Sequence, residues 1–244
     1  MRYGGLTQEQ ARFYRDQGYY RLLDCFDQTE TAEMRDFISS EFNKTQDRVD
    51  PSNPNRKLYG LYDRNPELMN RVLGKKALIG ALTSILGPNV VFVKNRHNHA
   101  TVNNRYGSPA EGMHRDILQP TRGLVTAAVY LQDSTVGNGA TRVIPGSHNL
   151  PYVGVPQADG GGTWLAEHEE FAGLENQAVP VPMNEGDVLL FNGTLFHGVG
   201  YNPSGETRTS MTLGFRSVDE LDAQPDHSRQ IVVAGDYIYR GNDR

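Results

Sequence analysis

Two histidines and an aspartate have the residue types and the spacing of a metal-binding site. His114 and Asp116 stand two residues apart in the segment GMHRD, residues 112–116. In an extended chain, residues i and i+2 point to the same side, so this imidazole and this carboxylate can hold one ion together. His197 follows an apolar segment far along the chain and is the candidate third ligand. Two histidines and one carboxylate on one face of an octahedron leave three positions open, which is typical of non-haem Fe(II) oxygenases.

Arg208 is a candidate anion-binding group. It opens the segment Arg208-Thr209-Ser210, shortly after His197. A guanidinium fork beside a hydroxyl can hold a carboxylate through two hydrogen bonds. A dicarboxylic 2-oxo acid needs such a group at its far end while its other end chelates the metal. From the residues alone, a surface ion pair between Arg208 and Glu206 remains the alternative.

The elements that must position these residues form a mainly β core, predicted from residue 89 onwards. Turn signals such as Pro145-Gly146-Ser147 and Asn184-Glu185-Gly186-Asp187 separate short apolar segments. Short strands at such regular spacing favour a sandwich or a barrel. The predicted strands cover residues 90–93, 123–131, 142–144, 179–181, 187–191, 210–216 and 231–233.

The preceding region of the chain is predicted to be largely helical. Thr7 and Gln10 have the spacing of a capping box, and the helix that they begin should end near Gly18. We expect one domain over residues 1–244, with a helical region over residues 1–88 and a β core over residues 89–235. The other predicted elements are a strand at 19–26, a helix at 29–42, a loop at 47–57 and helical segments over 66–86.

Several segments, in their order and spacing, resemble one enzyme family. They are GMHRD (112–116), NGATRVIPGSH (138–148) and EGDVLLFNGTLFHGVGYNPSGETRTS (185–210), together with the opening LTQEQARFYRDQGYYRLLDCF (6–26). The sequence is similar to the phytanoyl-CoA dioxygenase family of Fe(II)/2-oxoglutarate-dependent oxygenases. This resemblance implies a double-stranded β-helix, a cupin-like jelly roll, flanked by helices.

The resemblance also implies roles for single residues. It places Fe(II) on His114, Asp116 and His197. It places 2-oxoglutarate on Arg208 with Ser210, and Thr141 stands where some similar enzymes have a hydroxyl that contacts the co-substrate. Lys94, at the end of the predicted strand 90–93, is a further candidate for this contact, whereas Arg96 is expected to be solvated. The halogenating branch of the family lacks the metal carboxylate, so Asp116 disfavours halogenation. Two positions depart from the family pattern: Val199 stands where some relatives have a hydroxyl, and Glu111 stands where some have Gln.

The expected reaction is oxidation of a substrate C–H bond by O2, coupled to decarboxylation of 2-oxoglutarate. Hydroxylation is the expected outcome, and desaturation, ring closure or epimerisation are alternatives. We expect a small substrate, as in secondary metabolism. Loops on a rigid β scaffold usually carry specificity, so the candidate substrate residues are Tyr106, Met113, Arg115 and Trp164.

Composition narrows the setting of this chemistry. The chain has 24 basic and 29 acidic residues and no clustered basic patch, so nucleic-acid binding is not expected. No apolar segment approaches the ~20 residues of a membrane span, and the N-terminus lacks the apolar core of a signal peptide. Cys25 is the only cysteine, which favours a reducing compartment. The sequence therefore predicts a cytoplasmic monomer or homodimer.

Two other functions remain open at this point. A jelly-roll metal enzyme of another class, such as an isomerase or a cofactor-free dioxygenase, would keep the metal ligands but have no use for Arg208. A non-catalytic binding module would need neither, and the complete set of ligands argues against it.

Overall fold

A computed structural model describes residues 4–44, 55–103, 112–117, 123–151, 163–218 and 226–236. The helices of these residues are α1 (Gln8–Gln17), α2 (Gln28–Lys44), α3 (Leu61–Arg64), α4 (Pro66–Leu73) and α5 (Lys76–Leu86). The strands are β1 (Tyr19–Leu22), β2 (Asn55–Tyr59), β3 (Val90–Val93), β4 (Asn98–Asn103), β5 (Val125–Tyr130), β6 (Thr141–Val143), β7 (Val179–Pro180), β8 (Val188–Asn192), β9 (His197–Val199), β10 (Arg208–Ser217) and β11 (Gln230–Ala234).

Local signals in the sequence fix where the helices begin and end. The Thr7 side chain accepts from the Gln10 backbone N–H, the Gln10 side chain accepts from the Thr7 N–H, and α1 ends at Gly18 in the left-handed conformation. Asn65 caps α4, and Pro66 occupies its first turn, where a missing N–H costs nothing. Among the described residues, no helix has both the length and the apolar character needed to cross a bilayer.

Two antiparallel sheets form the core. In the larger sheet the order is β1-β8-β5-β10-β3-β11, and β10 also pairs with β4, which pairs with β2. The smaller sheet has the order β7-β6-β9. Side chains of both sheets share one apolar cluster, including Tyr130 and Phe191 from the larger sheet and Val143 from the smaller. The small sheet therefore packs against the inner face of the large one, as the predicted jelly roll requires.

Strand alternation gives the large sheet two different faces. Ala127, Val129, Met211 and Leu213 point outwards and pack, with the helices, into the main core. Their neighbours point inwards, and this inner face lines a cavity with Ala128 and with four residues that carry polar groups: Tyr130, Arg208, Ser210 and Thr212. The helices thus cover one face of the sheet and leave the other for chemistry.

Three strands were not predicted from the sequence. The segment 55–57 was expected to be a loop, but it begins β2, which pairs with β4 along its whole length. Strands β4 and β9 were also missed. The inward side chains of β4 are polar because they line the cavity, and β9 has only three residues, so these strands lack the apolar pattern of a core strand. Two strands of the first 88 residues, β1 and β2, consequently belong to the large sheet.

Candidate active site

Backbone pairing brings the two ligand histidines together. His114 and His197 lie directly opposite each other in an antiparallel bridge. The His114 N–H donates to the His197 carbonyl at 2.8 Å, and the His197 N–H donates to the His114 carbonyl at 2.9 Å. Their ring centroids are 4.4 Å apart. The segment 112–117 therefore acts as an added strand beside β9, which is the extended geometry that the His-x-Asp spacing predicts.

Both imidazoles are held in the tautomer that metal binding needs. His114 Nδ1 is 3.2 Å from the Gly112 carbonyl oxygen, and His197 Nδ1 is 3.0 Å from the Leu195 carbonyl oxygen. A carbonyl oxygen can only accept, so each Nδ1 carries the proton and each Nε2 keeps a free lone pair. Burial also lowers the pKa of His197, which keeps its ring neutral.

Asp116 is the buried carboxylate of the site. Its side chain is 5% exposed, and the Thr126 hydroxyl donates to Oδ2 at 2.7 Å. Burial alone would raise the pKa of Asp116, but the nearby imidazoles of His197 and His97 and the bond from Thr126 outweigh it, and the net shift is downwards. Asp116 is consequently an anion at neutral pH.

The three donor groups fit a single transition-metal ion. One ligand atom each from His114, Asp116 and His197 lies within 4.8 Å of the other two. His197 Nε2 is 3.7 Å from Asp116 Oδ1. Atoms this close can share one ion at bond lengths of about 2.0–2.2 Å, and two imidazoles with one carboxylate suit Fe(II).

Arg208 marks the other end of the same cavity. Its guanidinium is buried, with the residue 5% exposed, and it donates to the Ser134 hydroxyl at 2.7 Å. Its Nε has no hydrogen-bond partner, and among the described residues no acidic side chain pairs with it. Burial lowers the pKa of this guanidinium, although an arginine stays charged at neutral pH. A buried, unpaired cation is costly, so this position is suited to an anionic ligand. The alternative for Arg208, an ion pair with Glu206, is absent from the described contacts.

The wall between the metal ligands and Arg208 is polar. Ser210, predicted to help hold the co-substrate, lines it, and so does Thr141, whose hydroxyl is 2.7 Å from that of Tyr130. Asn103 lies opposite Arg208 in the β4–β10 pairing. Both amide atoms of Asn103 are buried and have no hydrogen-bond partner within the described part of the chain. The end of the cavity around Arg208, which we call the cation end, thus holds several polar groups that could form hydrogen bonds with a ligand.

Lys94 lies outside this cavity, which corrects one expectation. Its ammonium group is 2.6 Å from the Asp63 carboxylate and lies over the Tyr62 ring. The lysine that does line the cavity is Lys57 on β2, opposite Thr101 of β4. Lys57 was missed because its segment was interpreted as a loop. The segment Asn55–Tyr59 shows no alternation of polar and apolar residues, so the sequence carries no local signal for this strand.

Met113 and Arg115 do not face the cavity either. Met113 belongs to an apolar cluster with Ile144, Leu165 and Phe196. Arg115 is buried over the Phe196 ring at 4.2 Å and donates to the Ser147 carbonyl at 3.2 Å. The reason is strand alternation: since His114 and Asp116 point into the cavity, residues 113 and 115 point to the opposite side. Their predicted role in substrate binding is therefore replaced by a packing role.

Trp164 packs against a metal ligand. It forms a backbone bridge with His114, and the two ring centroids are 4.9 Å apart. The side of Trp164 away from His114 is open, with the residue 41% exposed. Trp164 therefore covers the ligand histidine, and it is not among the residues that line the cavity. Tyr106 lies outside the described residues.

Two further histidines line the cavity. His97 Nε2 is 3.2 Å from Asp116 Oδ1, and His99, two residues along, has its ring centroid 5.9 Å from that of His97. Burial lowers the pKa of His99 to about 4, and nearby His97 and Lys57 contribute. From the sequence alone, both residues could contact either the substrate or only solvent.

Comparisons with known proteins bear on both site and fold. "Iron/alpha-ketoglutarate-dependent dioxygenase ausU" of Aspergillus calidoustus is 38% identical over 104 residues, covering 38% of this chain and 29% of that protein. "Dioxygenase ALT11" of Alternaria alternata is 33% identical over 125 residues, covering 47% of this chain and 36% of that protein. The matched region thus spans about a third of the length of these curated relatives.

Solved structures and a family profile complete the comparison. The epimerase SnoN, in complex with Fe3+, alpha ketoglutarate and nogalamycin RO, superposes with a TM-score of 0.70 at 19% identity, covering 94% of this chain and 96% of SnoN. This likeness shows the jelly-roll fold. The sequence profile "Phytanoyl-CoA dioxygenase (PhyH)" matches residues 14–210, a range that runs from α1 through all three ligands to Ser210. With most of its length matched, the chain belongs to the phytanoyl-CoA dioxygenase family.

Proposed function

We propose that this protein is an Fe(II)/2-oxoglutarate-dependent oxygenase that oxidises a C–H bond of a small organic substrate. One observation carries the proposal. The cavity that holds the three metal ligands also holds the buried guanidinium of Arg208, which has no acidic partner among the described residues. A metal enzyme that does not use a dicarboxylic co-substrate has no need for this costly cation.

The chain's residues would divide the work as follows. His114, Asp116 and His197 would hold iron, which when bound supplies the O2 chemistry that couples decarboxylation of 2-oxoglutarate to substrate oxidation. Arg208 would bind the outer carboxylate of 2-oxoglutarate, and Ser210 and Thr141 would donate hydroxyl hydrogen bonds along its length. The apolar clusters around the site exclude water from the reacting groups.

Hydroxylation is the proposed outcome, with a secondary metabolite as the substrate. The curated relatives are named dioxygenases of Aspergillus and Alternaria species. SnoN and the carbocyclase SnoK come from nogalamycin biosynthesis. Epimerisation and ring closure by these structural neighbours show that the same fold supports other outcomes. The partners of this protein would be a small molecule and O2.

Turnover of 2-oxoglutarate tests the proposal directly. The protein is loaded with Fe(II) under anaerobic conditions and is then mixed with 2-oxoglutarate and O2. Succinate is measured in the absence of a substrate and in the presence of each member of a panel of polycyclic natural products. We expect succinate formation that a metal chelator abolishes. The Arg208→Met variant should lose succinate formation. The control variant Arg12→Met, which replaces an exposed arginine on α1, should retain it. Undiminished turnover in Arg208→Met would favour a metal enzyme of another class, and no succinate from the wild type across the panel would contradict the proposal.

We further propose a cytoplasmic location and a monomeric or homodimeric state. The single cysteine, Cys25, is buried, and burial raises the pKa of its thiol to about 12. Such a thiol is suited to a reducing compartment, where it stays protonated and inert. Fractionation of the source cells and sedimentation of the purified protein test these two points.

A further inference from the structure

The turn before β4 has an unusual backbone. His97 has a φ of +48°, in the left-handed region that residues other than glycine rarely adopt. The conformation is held in place by the Gly214 N–H, which donates to the His97 carbonyl at 2.9 Å. Strained backbone of this kind persists where the surroundings impose it, and such sites are often functional.

Gly214 makes room for this turn. It continues the inward-facing series of β10 and lies opposite Thr126 of β5. A Cβ added at Gly214 would lie 2.6 Å from the Arg96 carbonyl oxygen, so a side chain there would push the turn away. Glycine inside a strand commonly marks such a close approach of another backbone. The sheet therefore places Thr126 on one side of Gly214 and His97 on the other.

Both neighbours of Gly214 contact Asp116. Thr126 donates to Oδ2 at 2.7 Å, and His97 Nε2 lies 3.2 Å from Oδ1. Oδ1 is also the oxygen that lies 3.7 Å from His197 Nε2, so it is the one that faces the metal position. His97 Nε2 is buried and makes no aligned hydrogen bond among the described residues, so its hydrogen-bonding capacity is unused beside Oδ1. A carboxylate oxygen has lone pairs for both a metal and a hydrogen bond.

We propose that His97 is a positioning residue for the metal carboxylate. With the ion bound, its Nε2–H would donate to Asp116 Oδ1 while Thr126 donates to Oδ2, and together they would fix the carboxylate so that one oxygen faces the ion. The inference rests on the metal site of the proposed function. His97 is not itself a ligand here: the compact group of ligand atoms comprises His114, Asp116 and His197. A fourth ligand would also take a coordination position that 2-oxoglutarate and O2 together require.

Metal affinity without co-substrate tests this role. Co(II) binding is measured by calorimetry for the wild type and for His97→Gly. Outer hydrogen-bond partners of metal ligands typically contribute 10- to 100-fold to affinity, so we expect Co(II) binding to weaken by about 10- to 100-fold. The melting temperature of the metal-free protein should not fall, because glycine adopts the left-handed conformation without strain. Loss of affinity without loss of stability distinguishes positioning from a merely structural role.

Matched variants sharpen the test. Arg96→Gly places the same flexibility in the same turn at an exposed residue and should leave Co(II) affinity unchanged. His97→Gln keeps an N–H donor and should retain more affinity than His97→Leu, a comparison that also serves if the glycine variant does not fold. Equal affinity in the wild type, His97→Gly and His97→Leu would overturn the inference while leaving the metal site intact. Failure of the wild type to bind Co(II) would instead contradict the proposed function.

The number of coordinated imidazoles gives an independent check. Pulsed electron paramagnetic resonance of the Cu(II)-loaded protein counts the imidazole rings bound to the ion. We expect two, from His114 and His197, in both the wild type and His97→Gly. Three in the wild type and two in the variant would make His97 a ligand and overturn the positioning role.

Discussion

The metal end and the cation end of the cavity differ in how their polar groups are satisfied. At the metal end, backbone carbonyls accept from both histidine Nδ1 atoms, and Thr126 holds Asp116. At the other end, Arg208 Nε and both amide atoms of Asn103 are buried and have no hydrogen-bond partner in the ranges that the structure describes. One end is arranged before anything binds, whereas the other has hydrogen bonds still to be made.

This difference indicates how the two ends respond to ligand. Since buried polar groups are normally hydrogen-bonded, the cation end is destabilising until an anion arrives, and binding there should stabilise the fold. The metal end carries a smaller deficit, the buried Nε2 of His97, because both ligand imidazoles are oriented by backbone carbonyls. Substitutions at the cation end should therefore lower activity while preserving or raising stability. Substitutions at the metal end should lower activity without such a gain in stability.

The largest expected effect is loss of the metal carboxylate. A metal ion supplies several kcal/mol of transition-state stabilisation, and each ~1.4 kcal/mol is tenfold in rate. We expect Asp116→Ala to lower succinate formation by at least about 10³-fold. Asp36→Ala, an exposed carboxylate on α2, is the matched control. Retention of a tenth of the wild-type rate would mean that the metal end does not depend on this ligand.

At the cation end, Arg208→Met should change affinity and stability in opposite directions. Charge-assisted hydrogen bonds contribute about 1.5–3 kcal/mol, so affinity for 2-oxoglutarate should fall by about 10- to 100-fold in calorimetry on Co(II)-loaded protein. The free energy of unfolding without ligand should stay the same or rise by about 1 kcal/mol, because an unpaired buried charge is removed. Urea unfolding measures this second quantity. A clear loss of stability would show that Arg208 is satisfied without a ligand, and the comparison of the two ends would break down.

His99, between the two ends, gives the smallest expected effect. Burial lowers its pKa from 6.5 to about 4, so between these values the unfolded chain binds the proton that the folded chain does not. Stability from this group is complete above pH 6.5 and is lost as the pH falls towards 4. The loss should be about 2 kcal/mol, allowing for the partial exposure of the ring. In urea unfolding of metal-free protein, His99→Gln should have a shallower pH dependence over this window. An unchanged slope would indicate that His99 titrates normally.

The sequence predicted for a physical reason that His114, Asp116 and His197 would lie together. The His-x-Asp spacing requires an extended segment, and residues 112–117 are extended because they pair with β9 on one side and with residues 163–165 on the other. The same alternation, applied strictly, would have excluded Met113 and Arg115 from the cavity. Those two residues were predicted from their position on a loop and not from their direction.

The rest of the cavity depends on distant segments of the chain meeting in the sheet. Lys57, Thr101 and Ser210 form one row across β2, β4 and β10, and no local pattern in the sequence reveals such a row. His97 depends on a left-handed turn and on a glycine more than a hundred residues away. The periodicity of apolar residues indicates which face of a helix or strand is buried in the core. It does not indicate which polar faces of distant elements lie next to each other.

Strand β2 has a consequence for any shortened or engineered version of this protein. Its partner in the described sheet is β4. Strand β2 is the outermost strand of the cavity wall, and its residue Lys57 lines the cavity. A fragment beginning at residue 89, with all three proposed iron ligands, would lose this wall and leave the backbone groups of β4 free along one side. An unpaired strand edge invites pairing with other molecules, so such a fragment should self-associate even though its chemistry-bearing residues are all present.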